Sequence, residues 1–196
     1  FTVRTAGAHG AYTHATASAT KIAMALAARL EEVTEIRPEL SDNISRGIDA
    51  GRAAMDRAMG KGAGEIVDKV TLNIGTIKGG VKVNMVPSSA MFETDIRLPL
   101  GVTRERVLAE VERILKDFPN AEVKETNCNL PSWVDPACDI IEIVQSTVEE
   151  LRGFRPTPIV SLGGTDARLW RYRNIPTCVY GPFPHGIVSH DEHVDV

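Results

Sequence analysis

One stretch, residues 81–98, limits what this chain can fold into more than any other. It reads VKVNMVPSSAMFETDIRL, with apolar and polar residues alternating on both sides of a central PSS. Alternation with a period of two is typical of half-buried β-strands, so the stretch predicts two extended pieces around a polar break. This places Asn84, a carboxamide, and Arg97, a guanidinium that can grip a carboxylate with two hydrogen bonds, near one sheet surface. The plain alternative is a solvated Asp95–Arg97 pair on an ordinary sheet.

The segments on either side of this stretch complete a mixed pattern of strands and helices. Strands are predicted at residues 2–5, 70–74 and 121–126, and helices after Thr13, after Ser41 or Asp42, and after Thr103. The resulting order is β, α (doubled), β, β, α, β. It is the order of the ferredoxin-like βαββαβ sandwich, an α+β fold with one antiparallel sheet and helices on one face.

Composition changes at residues 127–136, NCNLPSWVDP, which contain two prolines and no periodicity. We therefore expect a domain over residues 1–126 and a C-terminal segment over residues 127–196. That segment predicts helices at 140–151 and 165–172 and strands at 157–160 and 176–180, an α/β arrangement. About 70 residues with two strands are too few for an independent α/β domain. Because Phe1 also lies inside a strand pattern, we expect an upstream part of the protein to be missing.

Charge and composition argue against several classes of partner. The formal net charge is -4 and no cationic cluster is present, which argues against nucleic acid. No apolar run approaches the roughly 20 residues of a membrane-spanning helix, and FTVRTAG is not a signal peptide. The cysteines are odd in number and lack CxxC spacing, which favours a reducing, cytoplasmic compartment.

Two motifs in the C-terminal segment could carry chemistry. The tail combines imidazoles with carboxylates, which together bind zinc, cobalt or manganese: His185, His190, His193, Asp191, Glu192 and Asp195. A polar surface loop would have the same composition. The second motif, SLGGTDAR, places two glycines and Thr165 before a short helix, where backbone N–H groups can face an anion. A glycine turn followed by a helix cap explains this motif equally well.

Taken in order, four motifs resemble the dinuclear zinc family of aminoacylase, acetylornithine deacetylase, succinyl-diaminopimelate desuccinylase and glutamate carboxypeptidase. They are TAGAHGAYTH, VNMVPSSAMFETDIRLP, GGTDAR and YGPFPHGIVSHDEHV. The resemblance covers nearly the whole chain. It implies a ferredoxin-like lid and dimerisation domain followed by the C-terminal part of an α/β zinc-exopeptidase catalytic domain. Residues 35–68 resemble no part of the family's shorter lids and are interpreted as a helical insertion.

The resemblance also implies roles for individual residues. His9 matches a lid histidine that, in family dimers, reaches the active site of the partner subunit and polarises the scissile carbonyl. Asn84 and Arg97 match residues that hold the substrate's carboxylate. Gly164 and Thr165 match a pair that lines the substrate pocket.

A histidine before the terminal D-E-x-V ending is a metal ligand in the family. Its usual position is held here by Val188, so His185 is the preferred match and His190 the alternative. The family's other ligands and its catalytic glutamate lie upstream of the lid. By this resemblance the chain has at most one metal ligand and no general base, and it should be inactive alone.

For the intact enzyme the resemblance implies hydrolysis of an amide bond in an N-acyl amino acid or small peptide with a free carboxylate. Two zinc ions, with cobalt or manganese as alternatives, would bind a bridging water and lower its pKa toward about 7. A homodimer through the lid domain is expected. The alternative interpretation keeps the fold without catalysis, as a ferredoxin-like dimerisation or small-ligand regulatory module.

Overall fold

The computed structural model describes residues 1–182, 184–186 and 189–194. The chain divides into two compact units. The first comprises Phe1–Glu39 with Lys69–Leu130, and the second comprises Leu40–Asp68 with Pro131–Val196. Within the described residues, no helix is both long enough and apolar enough to cross a membrane.

The described residues form both helices and strands. In order they are β1 (Thr2–Arg4), β2 (Ala8–His9), α1 (Ala19–Arg29), a 3₁₀ helix (Leu30–Glu35), α2 (Asp42–Met59), α3 (Ala63–Ile66), β3 (Thr71–Gly79), β4 (Met85–Val86), β5 (Ser89–Arg97), α4 (Arg104–Leu115), β6 (Ala121–Glu122), α5 (Asp139–Arg152), α6 (Ala167–Arg171), β7 (Pro184–His185) and β8 (His193–Val194).

The first unit is built on a four-stranded sheet in the order β3-β5-β1-β6, with β2 and β4 forming a separate short ladder. Every neighbouring pair is antiparallel. The α+β fold with one antiparallel sheet is therefore confirmed. The predicted cap of α4 is also present, because the Thr103 side chain accepts a hydrogen bond from the backbone N–H of Arg106.

The core of this unit lies between one face of the sheet and the helices α1 and α4. Phe92 of β5 and Val3 of β1 are fully buried there with Leu26 of α1 and Ile114 of α4. Burying a side chain of this kind contributes about 1.5–3 kcal/mol. Residues of β5 that alternate with Phe92 are exposed, so the other face of the sheet is open.

Three parts of the first unit differ from the sequence prediction. The strand predicted at 121–126 covers only Ala121–Glu122. The helix α1 begins at Ala19, well after Thr13, because successive turns occupy the intervening residues. Residues 81–84, predicted as extended, form a turn in which Met85 N–H donates to the Lys82 carbonyl at 3.2 Å. Gly80 turns the chain before it at a φ of 74°, a conformation that favours glycine. The alternating Val81 and Val83 are consequently exposed.

The second unit has a small helical core. Its buried residues come from α2, α3 and the segment just after α3, and apolar residues near 160 pack on them: Ile48, Met55, Ala63, Val67, Val160 and Leu162. A Cβ at Gly51 of α2 would lie 3.1 Å from the Pro158 carbonyl oxygen, so glycine allows this close packing. Residues 40–68, which make up most of the stretch 35–68 interpreted from the sequence as a helical insertion, lie in this second unit.

The C-terminal helices are found close to their predicted positions, as α5 and the shorter α6. The strands predicted at 157–160 and 176–180 are absent, and both segments are irregular. A strand needs a neighbour to satisfy its backbone hydrogen bonds. Neither segment has such a neighbour within the described part of the chain.

Candidate functional site

His9 lies on β2 in the short ladder with β4, where it faces Met85 while Ala8 faces Val86. Its side chain is exposed. Nδ1 accepts a hydrogen bond from the backbone N–H of Ala11 at 3.2 Å. The neutral imidazole therefore carries its proton on Nε2, which leaves an N–H donor at the exposed tip of the ring.

Two glycines allow this ladder to form. Gly10 N–H donates to the Asn84 carbonyl oxygen at 2.7 Å, and a Cβ at Gly10 would lie only 2.8 Å from that oxygen. Gly7 has a φ of 70°, and a Cβ there would lie 2.9 Å from the Ser88 Cβ. Because larger residues would clash at both positions, the glycines of the AGAHG sequence are required for β2 to lie against β4.

The Gly10 hydrogen bond brings His9 and Asn84 to the same end of the first unit. Asn84 is exposed in the turn before β4, so its carboxamide faces solvent. An imidazole N–H and a carboxamide close together can both hydrogen-bond a carbonyl or carboxylate oxygen.

Arg97 lies far from this pair. It ends the nine-residue strand β5, where it faces Thr71 of β3. The strand β4 pairs with β2, and β5 pairs with β1, both antiparallel, so β4 and β5 run in the same direction. Asn84 precedes β4 and therefore lies beyond the start of β5, whereas Arg97 lies at its end. A strand of this length spans about 27 Å. Asn84 and Arg97, which the sequence predicts near one sheet surface, therefore lie toward opposite ends of β5 within one chain.

The guanidinium of Arg97 is paired with Asp95, with Nη2 and Oδ2 2.6 Å apart and both side chains more than half exposed. Exposed pairs of this kind contribute about 0–1 kcal/mol. A carboxylate ligand could therefore take the place of Asp95.

An aromatic ring, that of Tyr12, packs against His9. The Tyr12 ring lies 5.9 Å from the His9 ring and 6.1 Å from the His14 ring, edge-on to both. Sequence reasoning did not identify Tyr12. All three residues occur in HGAYTH, but the contact depends on turns over this segment that strand or helix periodicity does not indicate.

Gly164 and Thr165 lie in the second unit, in the loop before α6. The Thr165 carbonyl accepts hydrogen bonds from the backbone N–H of Arg168 at 3.1 Å and from its Nη1 at 2.9 Å. Thr165 Oγ1 is shielded from solvent without a hydrogen-bond partner in the described residues. A Cβ at Gly164 would meet nothing within 4 Å, so the loop beside Thr165 is open.

The tail histidines also lie in the second unit. His185 on β7 faces His193 on β8, and their rings stack with centroids 5.1 Å apart. His190 is exposed in the connection between the two strands. His193 was not among the preferred ligands, although sequence analysis identified it in the tail. Val188 and Asp195 lie outside the described residues.

This donor set does not fit a metal ion by itself. Among the described residues, no group of three His, Cys, Asp or Glu side chains is arranged to hold one. The stacked His185 and His193 supply two nitrogens, whereas zinc sites in proteins use three or four protein ligands. Any metal centre that uses these histidines needs further donors.

Arginine–carboxylate pairs away from His9 produce the clearest electrostatic effects in the first unit. Hydrogen bonds from Arg113 lower the pKa of Glu110 and of Glu32 below the ordinary value. Arg104 lowers the pKa of Glu125 in the same way, with Nη2 2.7 Å from Oε2.

Comparison with known proteins gives one family match. Residues 1–122 match the family model described as peptidase dimerisation domain. No curated protein sequence is matched.

Several solved structures share the fold. The aminopeptidase PepT from Bacillus cereus ATCC 10987 is 19% identical with a TM-score of 0.61, and a tripeptidase from Staphylococcus aureus subsp. aureus mu50 is 19% identical with a TM-score of 0.62. An M20 family metallo-carboxypeptidase, Sso-CP2 from Sulfolobus solfataricus, is 14% identical with a TM-score of 0.69.

The match extends over most of this chain but less than half of those proteins. It covers 97% of the chain and 44% of each of the first two structures. For the carboxypeptidase it covers 88% of the chain and 46% of that protein.

Proposed function

Because this chain belongs to the family of peptidase dimerisation domains found in M20 peptidases, we propose that it pairs two copies of a metal-dependent hydrolase and helps to position their substrate. The proposed reaction is hydrolysis of an amide bond in a small peptide or N-acyl amino acid that carries a free carboxylate. The chain would act within a longer protein, since the match covers only 44% of the Bacillus cereus aminopeptidase and of the Staphylococcus aureus tripeptidase.

The exposed Nε2–H of His9 is the observation that carries this proposal. The ring is oriented by the Ala11 N–H at 3.2 Å, on a ladder that Gly10 holds against Asn84. A donor held in place before the substrate arrives can stabilise the negative charge that develops on a carbonyl oxygen during amide hydrolysis. This arrangement fits His9 as the group that polarises the scissile carbonyl.

The distance between Asn84 and Arg97 supports a site shared between two subunits. The two side chains lie on opposite sides of a strand about 27 Å long, so they cannot both hold one carboxylate from the same chain. In a two-fold dimer, the His9 and Asn84 of one subunit can meet the Arg97 of the other around a single substrate. Arg97 is able to bind a carboxylate there because its pair with Asp95 is exposed.

The metal would be held mainly by residues outside this chain. We propose two zinc ions per subunit, with cobalt or manganese as alternatives, because histidine and carboxylate ligands suit these ions. His185 is the preferred ligand from this chain and His190 the alternative, while Gly164 and Thr165 are proposed to line the substrate pocket. The metals when bound would supply the activated water, and the part played by this chain is to bind and orient the substrate.

Replacing His9 tests the proposal. In the intact enzyme, His9→Ala should lower kcat by at least about 100-fold, because losing one preorganised oxyanion donor costs about 3–4 kcal/mol of barrier. Zinc content, measured by elemental analysis, should stay unchanged at about two ions per subunit. Near-normal turnover by His9→Ala would remove His9 from the mechanism.

The matched control is His14→Ala, which removes another exposed imidazole in the same motif. It should keep most of the activity. The same metal measurement separates the proposal from a non-catalytic module, because a small-ligand regulatory module would purify without bound metal.

A further inference from the structure

A groove of about 490 Å³ lies on the open face of the first unit's sheet. Met85, Ser89 and Met91 line it, and its walls are formed by Arg4 and Lys78. Its volume falls within the range of about 300–1,000 Å³ that is typical of small-ligand sites.

Met85 connects the groove to the strand that carries His9. Residues directly opposite each other in an antiparallel ladder project to one side, and His9 faces Met85. Met85 is therefore both a neighbour of His9 and part of the groove. A ligand in the groove would lie beside Met85, the cross-strand neighbour of His9.

Two cations flank the groove. Met91 of β5 faces Thr2 on one side and Lys78 on the other, and Arg4 faces Ser89 one step further along. Arg4 and Lys78 therefore lie on the two strands next to β5, about 10 Å apart across the sheet. Long side chains at these positions can reach a ligand lying over Met91.

Both cations are available to an anion. Lys78 is exposed and forms no ion pair within the described part of the chain. Arg4 pairs with Glu122 at 3.3 Å, but these side chains are 69% and 77% exposed, and such pairs are weak. Glu93, the next carboxylate along β5, accepts a hydrogen bond from Thr76 and does not line the groove.

The residues that line the groove indicate a ligand with both an apolar part and a negatively charged group. Methionine side chains are flexible and adapt to apolar groups of different shape, and both Met85 and Met91 are more than 40% exposed. The two cations would bind a carboxylate. Since Arg97 lies at the other end of β5, it cannot serve this position from the same chain.

We propose that this groove binds an acidic side chain of the substrate, so that the enzyme prefers small peptides with a glutamate or aspartate beside the scissile bond. This inference rests on the proposed function and narrows its substrate class. The free carboxylate already assigned to Asn84 and Arg97 is a different group. The preferred substrates therefore carry at least two carboxylates.

Two pairs of dipeptides test the inference in the intact enzyme. Glu-Ala is compared with Gln-Ala, and Ala-Glu with Ala-Gln, so that only the side-chain charge differs on either side of the bond. The glutamate member of one pair should have a kcat/KM about tenfold higher, as expected for a hydrogen bond to a charged group.

Variants then locate the source of this preference. Arg4→Gln and Lys78→Gln should each reduce the ratio of kcat/KM between glutamate and glutamine peptides toward one, mainly by slowing the glutamate peptides. Glu122→Gln should increase it, because Arg4 loses the competing carboxylate. Lys21→Gln, an exposed lysine of α1, is the matched control and should change nothing.

A binding measurement separates failure of this inference from failure of the proposed function. With methyl-labelled methionine, Glu-Ala should shift the NMR resonances of Met85 and Met91 but not that of Met24 on α1. If no dipeptide is hydrolysed but these shifts occur, the proposed hydrolytic function is wrong, whereas the groove is still a binding site for the acidic side chain. Equal rates within both pairs, a preference that survives Arg4→Gln and Lys78→Gln, or the absence of shifts at Met85 and Met91 would overturn the groove assignment.

Discussion

The orientation of the His9 ring depends on neighbours that have no chemistry of their own. The backbone N–H of Ala11 holds Nδ1, and the absence of a side chain at Gly10 lets the Asn84 backbone approach to 2.7 Å. A small change in this backbone would move the imidazole without touching it. The position of the His9 ring therefore depends on the glycine at position 10 as well as on the histidine itself.

Gly10→Ala tests this dependence. The added Cβ would lie 2.8 Å from the Asn84 carbonyl oxygen, and forced contacts of this kind typically cost about 1–3 kcal/mol of stability. Urea unfolding followed by circular dichroism should show that loss, together with reduced turnover of the intact enzyme.

Gly47→Ala serves as its control. At Gly47, in α2, the nearest atom to an added Cβ is 3.6 Å away, and replacing a helical glycine by alanine should stabilise the chain by about 0.5–1 kcal/mol. Equal stability of Gly10→Ala and the unchanged protein would mean that β2 and β4 do not require this close approach.

Residue types predicted part of the site and not its geometry. The motif TAGAHGAYTH drew attention to His9, but neither the Ala11 hydrogen bond nor the contact with Tyr12 follows from periodicity. The pairing of Asp95 with Arg97 was the plain expectation for two residues on one strand face, and it is present at 2.6 Å. The separation of Asn84 from Arg97 depends on the strand direction through the turn, which composition does not specify.

At the scale of elements, charged side chains join the 3₁₀ helix to α4. Arg113 of α4 hydrogen-bonds Glu110 at 2.7 Å and also contacts Glu32 of the 3₁₀ helix. Arg29, at the end of α1, pairs with Glu32 at 2.6 Å. The network connects three consecutive helical elements of the first unit across its surface.

This network predicts a particular pH dependence. Hydrogen bonds from Arg113 lower the pKa of Glu110 and Glu32 from the ordinary value of 4.5, so the unfolded chain binds more protons than the folded chain at pH values between the folded and unfolded pKa. The stabilisation is fully present above about pH 4.5 and is lost as the pH falls through the lower folded pKa. Arg113→Gln should therefore destabilise the chain more at about pH 7 than at about pH 3.

Urea unfolding at the two pH values measures the difference directly. Lys116→Gln, at the end of the same helix, is the control and should give similar small effects at both. An Arg113→Gln effect of equal size at neutral and acidic pH would show that the network does not act through its charges.

Elements with long amphipathic patterns were predicted well, and those that depend on a partner were not. The alternation of Phe92, Thr94 and Ile96 correctly predicted β5, because one face of that strand packs on helices. Val81 and Val83 alternate in the same way, yet Gly80 and the following turn keep them out of the sheet. The strands predicted at 157–160 and 176–180 have suitable residues but no neighbouring strand.

At the scale of the whole molecule, the chain forms two units, each built from two separate segments of the sequence. The first, which contains His9, Asn84 and Arg97, lies largely within residues 1–122, which match the dimerisation family, but that range also includes residues 40–68 of the second unit. The second joins residues 40–68 to the C-terminal segment through a shared core. Sequence periodicity found α2 but could not show which unit its apolar stripe packs in.

Complementation between two inactive variants tests the shared site most directly. His9→Ala and Arg97→Ala enzymes should each be nearly inactive alone. If His9 from one subunit and Arg97 from the other complete one active site, a mixed dimer of the two variants contains one intact site and one site lacking both groups. Random co-assembly should then restore about one quarter of the wild-type activity. Activity that stays at the level of the separate variants, although mixed dimers form, would contradict a site shared between subunits.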